Sequence, residues 1–333
     1  MKAPGEELLG KLWVTLVDNG VGGLLRPWQI RREAQAKLEA KANEVVAMAV
    51  AEKRAKEIAS DNVESDYNLE GGEFDLLSGR AEPKISEEGV ARIARDMALN
   101  DFVRRERNVA KAILVAEKEL LEFEGDVTDE QIEEDWIHRW RNLAGEVGAE
   151  KLQYLWGQIL AGETKAPGQY SLRTLDFLKN ISQEEARNIE SIAPFIISGR
   201  IIKDAEGFPD GFGLSHDVLL YLQGIGVLSS VDSLTISAQW GSVVAEKFIR
   251  PLISGNKVLV VNKEDPRAIL SVPAIVVTEI GRQVLSLVKS APNEEYLLAV
   301  GRKIKARGFE VRMANVTKVD SSWLEYDDAV DVE

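Results

Sequence analysis

Reactive side chains gather between residues 155 and 182, in the stretch LWGQILAGETKAPGQYSLRTLDFLKNIS. It supplies a carboxylate, an ammonium, a phenol, a hydroxyl and a guanidinium, on Glu163, Lys165, Tyr170, Ser171 and Arg173. Such groups could transfer protons or bind an anion. They also suit structural roles, because Gly162 matches a helix C-terminus, Pro167-Gly168 indicates a turn and Ser171 can cap the following helix. We predict that the loop is mainly a joint, in which Lys165, Tyr170 and Arg173 could form a binding edge.

A metal centre or a cysteine-based site lacks ligands in this sequence. The chain contains no cysteine and two histidines, His138 and His216, which lie far apart. Disulfides, thiolate metal sites and cysteine catalysis are therefore excluded, and the usual zinc centre has too few ligands. We expect His138 on a helix surface and His216 in the cap region of a helix. No DxD-type cluster follows a strand, so we predict no metal and no cofactor.

Phosphate-binding and nucleophile motifs are also missing. Neither G-x-x-x-x-G-K-[ST] nor G-x-G-x-x-G occurs in the chain. The segment GFPDGFG at 207–213 has the glycines, but Pro209 and Asp210 interrupt it and no strand is predicted before it. The Ser-x-x-Lys and G-x-S-x-G patterns lack convincing contexts. The sequence therefore shows no recognised catalytic motif, and a hydrolase would need a site that no motif reveals.

The overall composition indicates a globular protein of two or three domains. The chain has 333 residues, of which 45% are hydrophobic and 29% are charged. Its formal net charge of −14 counts against nucleic acid as the main ligand, since phosphate binders usually carry a basic surplus. No apolar run approaches the roughly 20 residues that span a bilayer, and the N-terminus does not resemble a secretory signal. Together with the absence of cysteine, these features predict a cytoplasmic protein.

The N-terminal region, residues 1–84, is predicted to contain long helices and an acidic linker. Residues 6–18 have an amphipathic pattern with one broad apolar face. Residues 30–59 give a longer, Ala-rich helix, and residues 60–84 break the pattern as an exposed linker. The residues predicted to make contacts are Leu12, Trp13, Leu16, Trp28 and Arg31. We expect these helices to pack on another helix or on a second subunit, and peripheral membrane contact through the first helix is the alternative.

Residues 85–200 predict a compact helical bundle. A helix–helix seam recurs every seven residues, at Phe102, Val109, Ala116 and Phe123. Capping boxes are predicted to open helices at Thr128 and at Ser182. With the preceding helices, this pattern predicts a mainly α protein that carries an α+β module at its C-terminal end.

Residues 201–318 predict a winged-helix-like α+β domain. A helix is followed by a hairpin around Glu264-Asp265-Pro266, by a second helix and by a final strand. Arg302 and Lys305 lie in a basic run of this domain and are the candidate contacts for nucleic acid. The acidic tail, residues 319–333, is expected to be solvated and frayed.

A family resemblance covers most of the chain. The segment LQYLWGQILAGETKAPGQYSLRTLDFLKNIS, followed by QEEA, resembles the signature of the bacterial family of domain of unknown function 2806. The segments LLRPWQIRREAQAKLEA and VTEIGRQVLSLV…NEEYLLAVGRKIKARGFEV resemble the two ends of that family. A weaker similarity, at ISQEEA, is to the abortive-infection alpha family. The resemblance implies a bacterial origin and a connection to phage defence, and it supplies no catalytic residue.

These observations predict a non-enzymatic, homo-oligomeric interaction protein. The resemblance favours a component of abortive-infection-type phage defence, with the N-terminal helices mediating assembly and the C-terminal module binding a protein partner. If the protein harms its host cell, the first helix is expected to act on a membrane after activation. The alternative is a regulator that binds nucleic acid through the winged-helix-like module.

Overall fold

The computed structural model of the protein describes residues 3–21, 87–233, 235–319 and 324–333. The predicted helix over 30–59, the linker over 60–84, Trp28 and Arg31 lie outside these ranges. The chain divides into two compact units, Met1–Tyr170 and Ser171–Glu333.

This division differs from the predicted boundary between residues 200 and 201. The helix that follows Tyr170 packs within the second unit, where Gln283 joins it by two hydrogen bonds. The Gln283 Oε1 atom accepts from the Ser171 backbone N–H at 2.9 Å and from the Thr174 hydroxyl at 2.5 Å. These bonds tie residues of the predicted bundle to the second unit.

Helices form the described part of unit 1. They are α1 (Pro4–Asp18), α2 (Glu87–Leu121), α3 (Glu134–Glu146) and α4 (Glu150–Lys165). Pro4 lies in the first turn of α1, where its missing N–H costs nothing, and acidic residues in the same turn favour the helix dipole. The 35-residue α2 is packed by each of the other three helices. None of the described helices combines the length and the apolar composition that spanning a bilayer requires.

Three buried tryptophans join these helices through hydrogen bonds of their indole N–H groups. Trp13 of α1 donates to the Glu117 carboxylate of α2 at 2.6 Å. Trp136 of α3 donates to the Tyr170 carbonyl at 2.6 Å, and Trp140 donates to the carbonyl of Trp156 in α4 at 2.9 Å. An unpaired buried indole N–H would be unfavourable, so these bonds fix the helices against one another.

One of the two predicted capping boxes forms. Ser182 accepts a hydrogen bond from the Glu185 backbone N–H, and the Glu185 carboxylate accepts from the Ser182 N–H. The box predicted at Thr128 is wrong, since α3 begins later, at Glu134. The Thr128 hydroxyl instead accepts from the Glu130 backbone N–H at 3.2 Å, which is a local turn and not a helix cap.

Unit 2 combines helices with two antiparallel sheets. Its elements are α5 (Leu172–Asn180), α6 (Gln183–Ile192), β1 (Arg200–Ile202), α7 (His216–Gly224), β2 (Leu228–Ser229), β3 (Ser237–Trp240), β4 (Phe248–Ser254), β5 (Lys257–Lys263), β6 (Leu270–Val277), α8 (Glu279–Leu285), α9 (Glu294–Lys305), β7 (Glu310–Val319) and β8 (Leu324–Asp331). One sheet has the order β1-β6-β2, with β3 also paired to β6. The other has the order β4-β5-β7-β8. A mainly α chain with a C-terminal α+β region is therefore confirmed.

The predicted hairpin around Glu264-Asp265-Pro266 is wrong. Strands β5 and β6 flank this turn but belong to different sheets. The observed hairpin joins β4 to β5 through Gly255 and Asn256. Gly255 has φ of +53°, which suits the first central position of a two-residue turn. Strand β5 is paired by β4 on one edge and by β7 on the other, so no edge of it is left for β6.

The predicted frayed tail is also wrong, because residues 324–331 form strand β8 along β7. The side chains of β8 are mostly exposed, but Val332 beyond it is buried. A Cβ atom on Gly301 would lie 3.0 Å from a methyl group of Val332, so the glycine makes room for this side chain. The strand is thus held by its ladder of hydrogen bonds and by one apolar residue.

An aromatic cluster around Tyr296 organises the core of unit 2. The buried Tyr296 hydroxyl accepts from the Ile202 N–H at 2.6 Å and donates to the Ile202 carbonyl at 3.0 Å. Its ring lies 5.2 to 5.7 Å from the rings of Phe195, Phe208 and Phe212. Burial raises the pKa of Tyr296, so the hydroxyl stays neutral. The GFPDGFG segment therefore supplies two aromatic rings to a core.

We expect Tyr296→Phe to lower the free energy of unfolding by about 1–3 kcal/mol, because it leaves the buried Ile202 N–H and carbonyl unpaired. Urea unfolding of the full chain measures the change. Tyr221→Phe is the matched control, since the Tyr221 hydroxyl bonds Glu185 on the surface and its loss should cost less than about 0.5 kcal/mol. Equal effects of the two changes would contradict the structural role of Tyr296.

Candidate functional site

The loop after α4 is held by a buried carboxylate. Glu163 is 2% exposed and accepts from the backbone N–H groups of Gly168, at 2.6 Å, and Tyr170, at 2.9 Å. Burial raises the pKa of Glu163, and the two backbone donors oppose this effect. The carboxylate closes the Pro-Gly turn onto its own helix, so its described contacts are those of a joint.

Gly162 does not end a helix, as its sequence context predicts, because α4 continues to Lys165. A Cβ atom at this position would lie 2.7 Å from the Tyr170 ring, so the glycine permits a close approach. Tyr170 is 3% exposed, and its side chain is therefore unsuited to a binding edge. Lys165 lies over the Phe123 ring at 5.2 Å, and Arg173 is exposed on α5. The Tyr170 side chain is therefore not part of an exposed binding edge, which leaves Lys165 and Arg173 of the three predicted residues.

Each of the two histidines lies on a helix surface beside a single carboxylate. His138 lies on the surface of α3, 3.7 Å from Glu134, and His216 lies at the start of α7, 3.1 Å from Asp232. Both histidines are about half exposed. Among the described residues, no group of three or more carboxylates and histidines could hold a metal ion.

The predicted contact residues of the first helix face the interior of unit 1. Leu12, Trp13 and Leu16 are at most 2% exposed, and α1 packs on α2 and α4. This is a helix-on-helix contact within one chain. Trp28 and Arg31, the other N-terminal residues predicted to make contacts, lie outside the described residues.

Arg302 and Lys305 hold the C-terminal residues of the chain. Arg302 donates to the Glu333 carbonyl at 3.1 Å, and Lys305 donates to the Val332 carbonyl at 2.8 Å. Both cations lie in the last turn of α9, where positive charge also favours the helix dipole. A phosphate group at either side chain would have to compete with these bonds.

The first half of α2 presents a stripe of exposed apolar side chains. Val90, Ile93 and Met97 are 50%, 57% and 67% exposed, and their spacing puts them on one face of the helix. We call these three residues the α2 stripe. Every residue from 90 to 98 is exposed. The described side-chain contacts of α3 with α2 begin near Arg105, so about 25 Å of helix extends beyond them.

The sequence analysis missed the α2 stripe because it followed a different face of the same helix. The predicted seam is correct at Val109 and Ala116, which are buried, but Phe102 is 44% exposed. The i, i+3, i+7 spacing of Val90, Ile93 and Met97 was visible in the sequence. What the sequence could not supply is where the neighbouring helices begin.

Residues 94–205 match the model of a family described as a protein of unknown function, DUF2806. The match confirms the resemblance over most of α2, over α3 to α6 and over β1, and it includes the Glu163 loop. No curated protein and no solved structure matches the chain. The weaker similarity to the abortive-infection alpha family stays a prediction.

We expect Glu163→Ala to lower the free energy of unfolding by about 1–3 kcal/mol, because it leaves the Tyr170 N–H buried without an acceptor. Urea unfolding measures the loss. Lys151→Ala, an exposed change on the same helix, should shift it by less than about 0.5 kcal/mol. Unchanged stability of the Glu163 variant would show that the loop does not depend on the carboxylate.

Proposed function

We propose that this chain, whose residues 94–205 carry the DUF2806 match, is a non-enzymatic interaction protein that forms a homodimer through the α2 stripe. The observation that carries this proposal is the exposure of Val90, Ile93 and Met97 on a helix that extends beyond its described neighbours. Contiguous exposed apolar residues on one face mark a contact site more often than isolated ones do. The cytoplasm remains the predicted compartment.

Helix energetics support a partner for this segment. A helix gains most of its stability from packing its apolar face, and short unsupported helices are marginal in water. The extension from residue 87 to residue 104 also contains Gly89, which weakens a helix by about 1 kcal/mol relative to alanine. Burying the α2 stripe against another helix would offset this weakness. A second copy of the chain presents an identical stripe.

The charges beside the stripe favour an antiparallel pair. Arg92 and Asp96 lie one turn apart on the same side of it. With a twofold axis near Ala94, Arg92 of each copy would lie opposite Asp96 of the other, giving two reciprocal ion pairs. In a parallel pair the same charges would face Ala91 and Ala98. Neither Arg92 nor Asp96 makes an ion pair within the described part of the chain.

We expect a solution mass of twice 36.9 kDa for the wild type at about 10 μM, and of 36.9 kDa for the Ile93→Glu/Met97→Glu variant. Two buried glutamates would each need a counter-charge that the stripe lacks. Sedimentation velocity or light scattering measures the mass. Val14→Glu is the matched control, because Val14 is an exposed apolar residue of α1 and should leave the mass unchanged.

A charge exchange tests the antiparallel geometry. Arg92→Asp alone places like charges opposite each other and should raise the dissociation constant several-fold. Arg92→Asp combined with Asp96→Arg should restore the wild-type value, since the reciprocal pairs reform. A wild type with the mass of one chain would overturn the proposed dimer. A dimer insensitive to the charge exchange would overturn its antiparallel geometry.

We also propose a role in abortive-infection-type phage defence, and this role would depend on the dimer. If it holds, the Ile93→Glu/Met97→Glu variant should protect bacteria less than the wild type does in phage plating. Membrane action by α1 is less favoured. Exposing Leu8, Leu9, Leu12 and Leu16 would cost roughly 6–12 kcal/mol, which is comparable to the whole stability of a domain.

A nucleic-acid-binding regulator is the second candidate. The strand order β1-β6-β2 beside α7 is similar to the small sheet of a winged helix, which supports the finer fold proposal. If it is correct, duplex DNA should bind at low salt, with affinity that falls steeply as salt rises. Arg302→Glu/Lys305→Glu should then weaken binding at least tenfold in fluorescence anisotropy. The bonds of both cations to the C-terminal residues place this candidate second.

A further inference from the structure

A cavity of about 340 Å³ opens in unit 2. Three segments line it: the chain after α6, the β4–β5 turn and the connection between α8 and α9. Its walls are mainly apolar, from residues such as Ile196, Leu285 and Val288, with serines at three positions. This volume falls at the lower end of the roughly 300–1,000 Å³ range of small-molecule sites.

Ser254 places an unused hydroxyl in this cavity. The residue is 3% exposed, and its hydroxyl has no hydrogen-bond partner among the described residues. The Ser254 Oγ atom is not among the buried unpaired side-chain atoms of the described residues, so water or a ligand in the cavity can reach it. The strand pairing does not require a serine, because an apolar residue would satisfy the same backbone bonds.

Ser198 supplies a second hydroxyl at the exposed rim. Its φ of +46° lies in the left-handed region that non-glycine residues rarely adopt. The Ser198 N–H donates to the Ile253 carbonyl at 2.7 Å, and its Oγ atom accepts from the Ile253 N–H at 2.9 Å. Because Oγ already accepts, the O–H hydrogen is free to donate. Strained backbone of this kind is concentrated at binding sites.

We propose that this cavity binds a small, uncharged, partly apolar molecule that carries a carbonyl or similar acceptor. The hydroxyls of Ser198 and Ser254 would donate hydrogen bonds to that acceptor, and the apolar wall would cover the rest of the molecule. The residues that line the cavity include no charged side chain. A carboxylate, phosphate or ammonium would therefore lose its hydration without gaining a counter-charge.

Three probes of nearly the same shape and different charge test this proposal on the full chain: benzamide, benzoate and benzylamine. We expect benzamide to bind with a dissociation constant of about 1 mM, as befits a fragment, in ligand-observed NMR titrations at pH 7. Benzoate and the protonated amine should bind at least tenfold more weakly. Equal binding of all three probes, or no binding of benzamide at about 10 mM, would overturn the proposal.

Variants locate the binding. Ser254→Ala should weaken benzamide binding at least tenfold. Ser191→Ala, on the exposed surface of α6, should leave the binding unchanged. If Ser254→Ala fails to fold, Ser290→Trp serves instead, because it blocks the cavity from an exposed rim position and should abolish benzamide binding. Benzamide that binds both cavity variants as it binds the wild type would show that the site lies elsewhere.

Discussion

The described part of unit 1 depends on the close approach of α4 to α2 at Gly157. A Cβ atom at Gly157 would lie 2.5 Å from the Val115 side chain and 2.6 Å from the Ala112 carbonyl, so only glycine allows this spacing. The contact fixes α4 along the second half of α2. A Cβ atom at Gly145, near the end of α3, would lie 3.3 Å from the Arg105 side chain of α2, and this close approach marks where the packing begins. The first half of α2, with its apolar stripe, therefore lies beyond its described neighbours.

Buried polar groups in unit 1 also hold α2, α3 and α4 against one another. The Glu106 carboxylate pairs with Arg141 between α2 and α3, and Asn108 donates to the Gly145 carbonyl at 2.8 Å. Gln153 of α4 then donates to Asn108 at 3.0 Å. Breaking such a buried pair costs several kcal/mol, whereas the intact pair adds little net stability. These groups therefore specify which helix faces meet, as Glu163 does for its loop.

The sequence predicted much of the local structure and little of the pairing between strands. The seven-residue recurrence at Val109 and Ala116, the cap at Ser171 and the box at Ser182 all depend on residues close in the chain, and the structure contains them. The partner of β5 and the strand after residue 323 depend on distant residues, so local patterns could not supply them. Acidic composition suggested a solvated tail, but backbone pairing and the single burial of Val332 outweigh it. For the candidate surface, the sequence shows that Val90, Ile93 and Met97 share one helix face. It does not show that they are exposed, because this depends on α3 packing against α2 only from about Arg105 onwards.

The strand edges of unit 2 are poorly suited to self-association. Three residues of β4 direct their backbone groups to its outer edge. Ile249 is hydrogen-bonded to Val243 and Ser242, and Ile253 is hydrogen-bonded to Ser198. The third residue, Pro251, has no N–H to donate. At the other end of this sheet, acidic residues on β8 would oppose each other if two copies paired edge to edge. Both edges therefore resist self-association, which is consistent with placing the proposed dimer contact on the α2 stripe instead. Ser198 accordingly has two roles within unit 2, since the residue that blocks the β4 edge also brings a donor hydroxyl to the cavity.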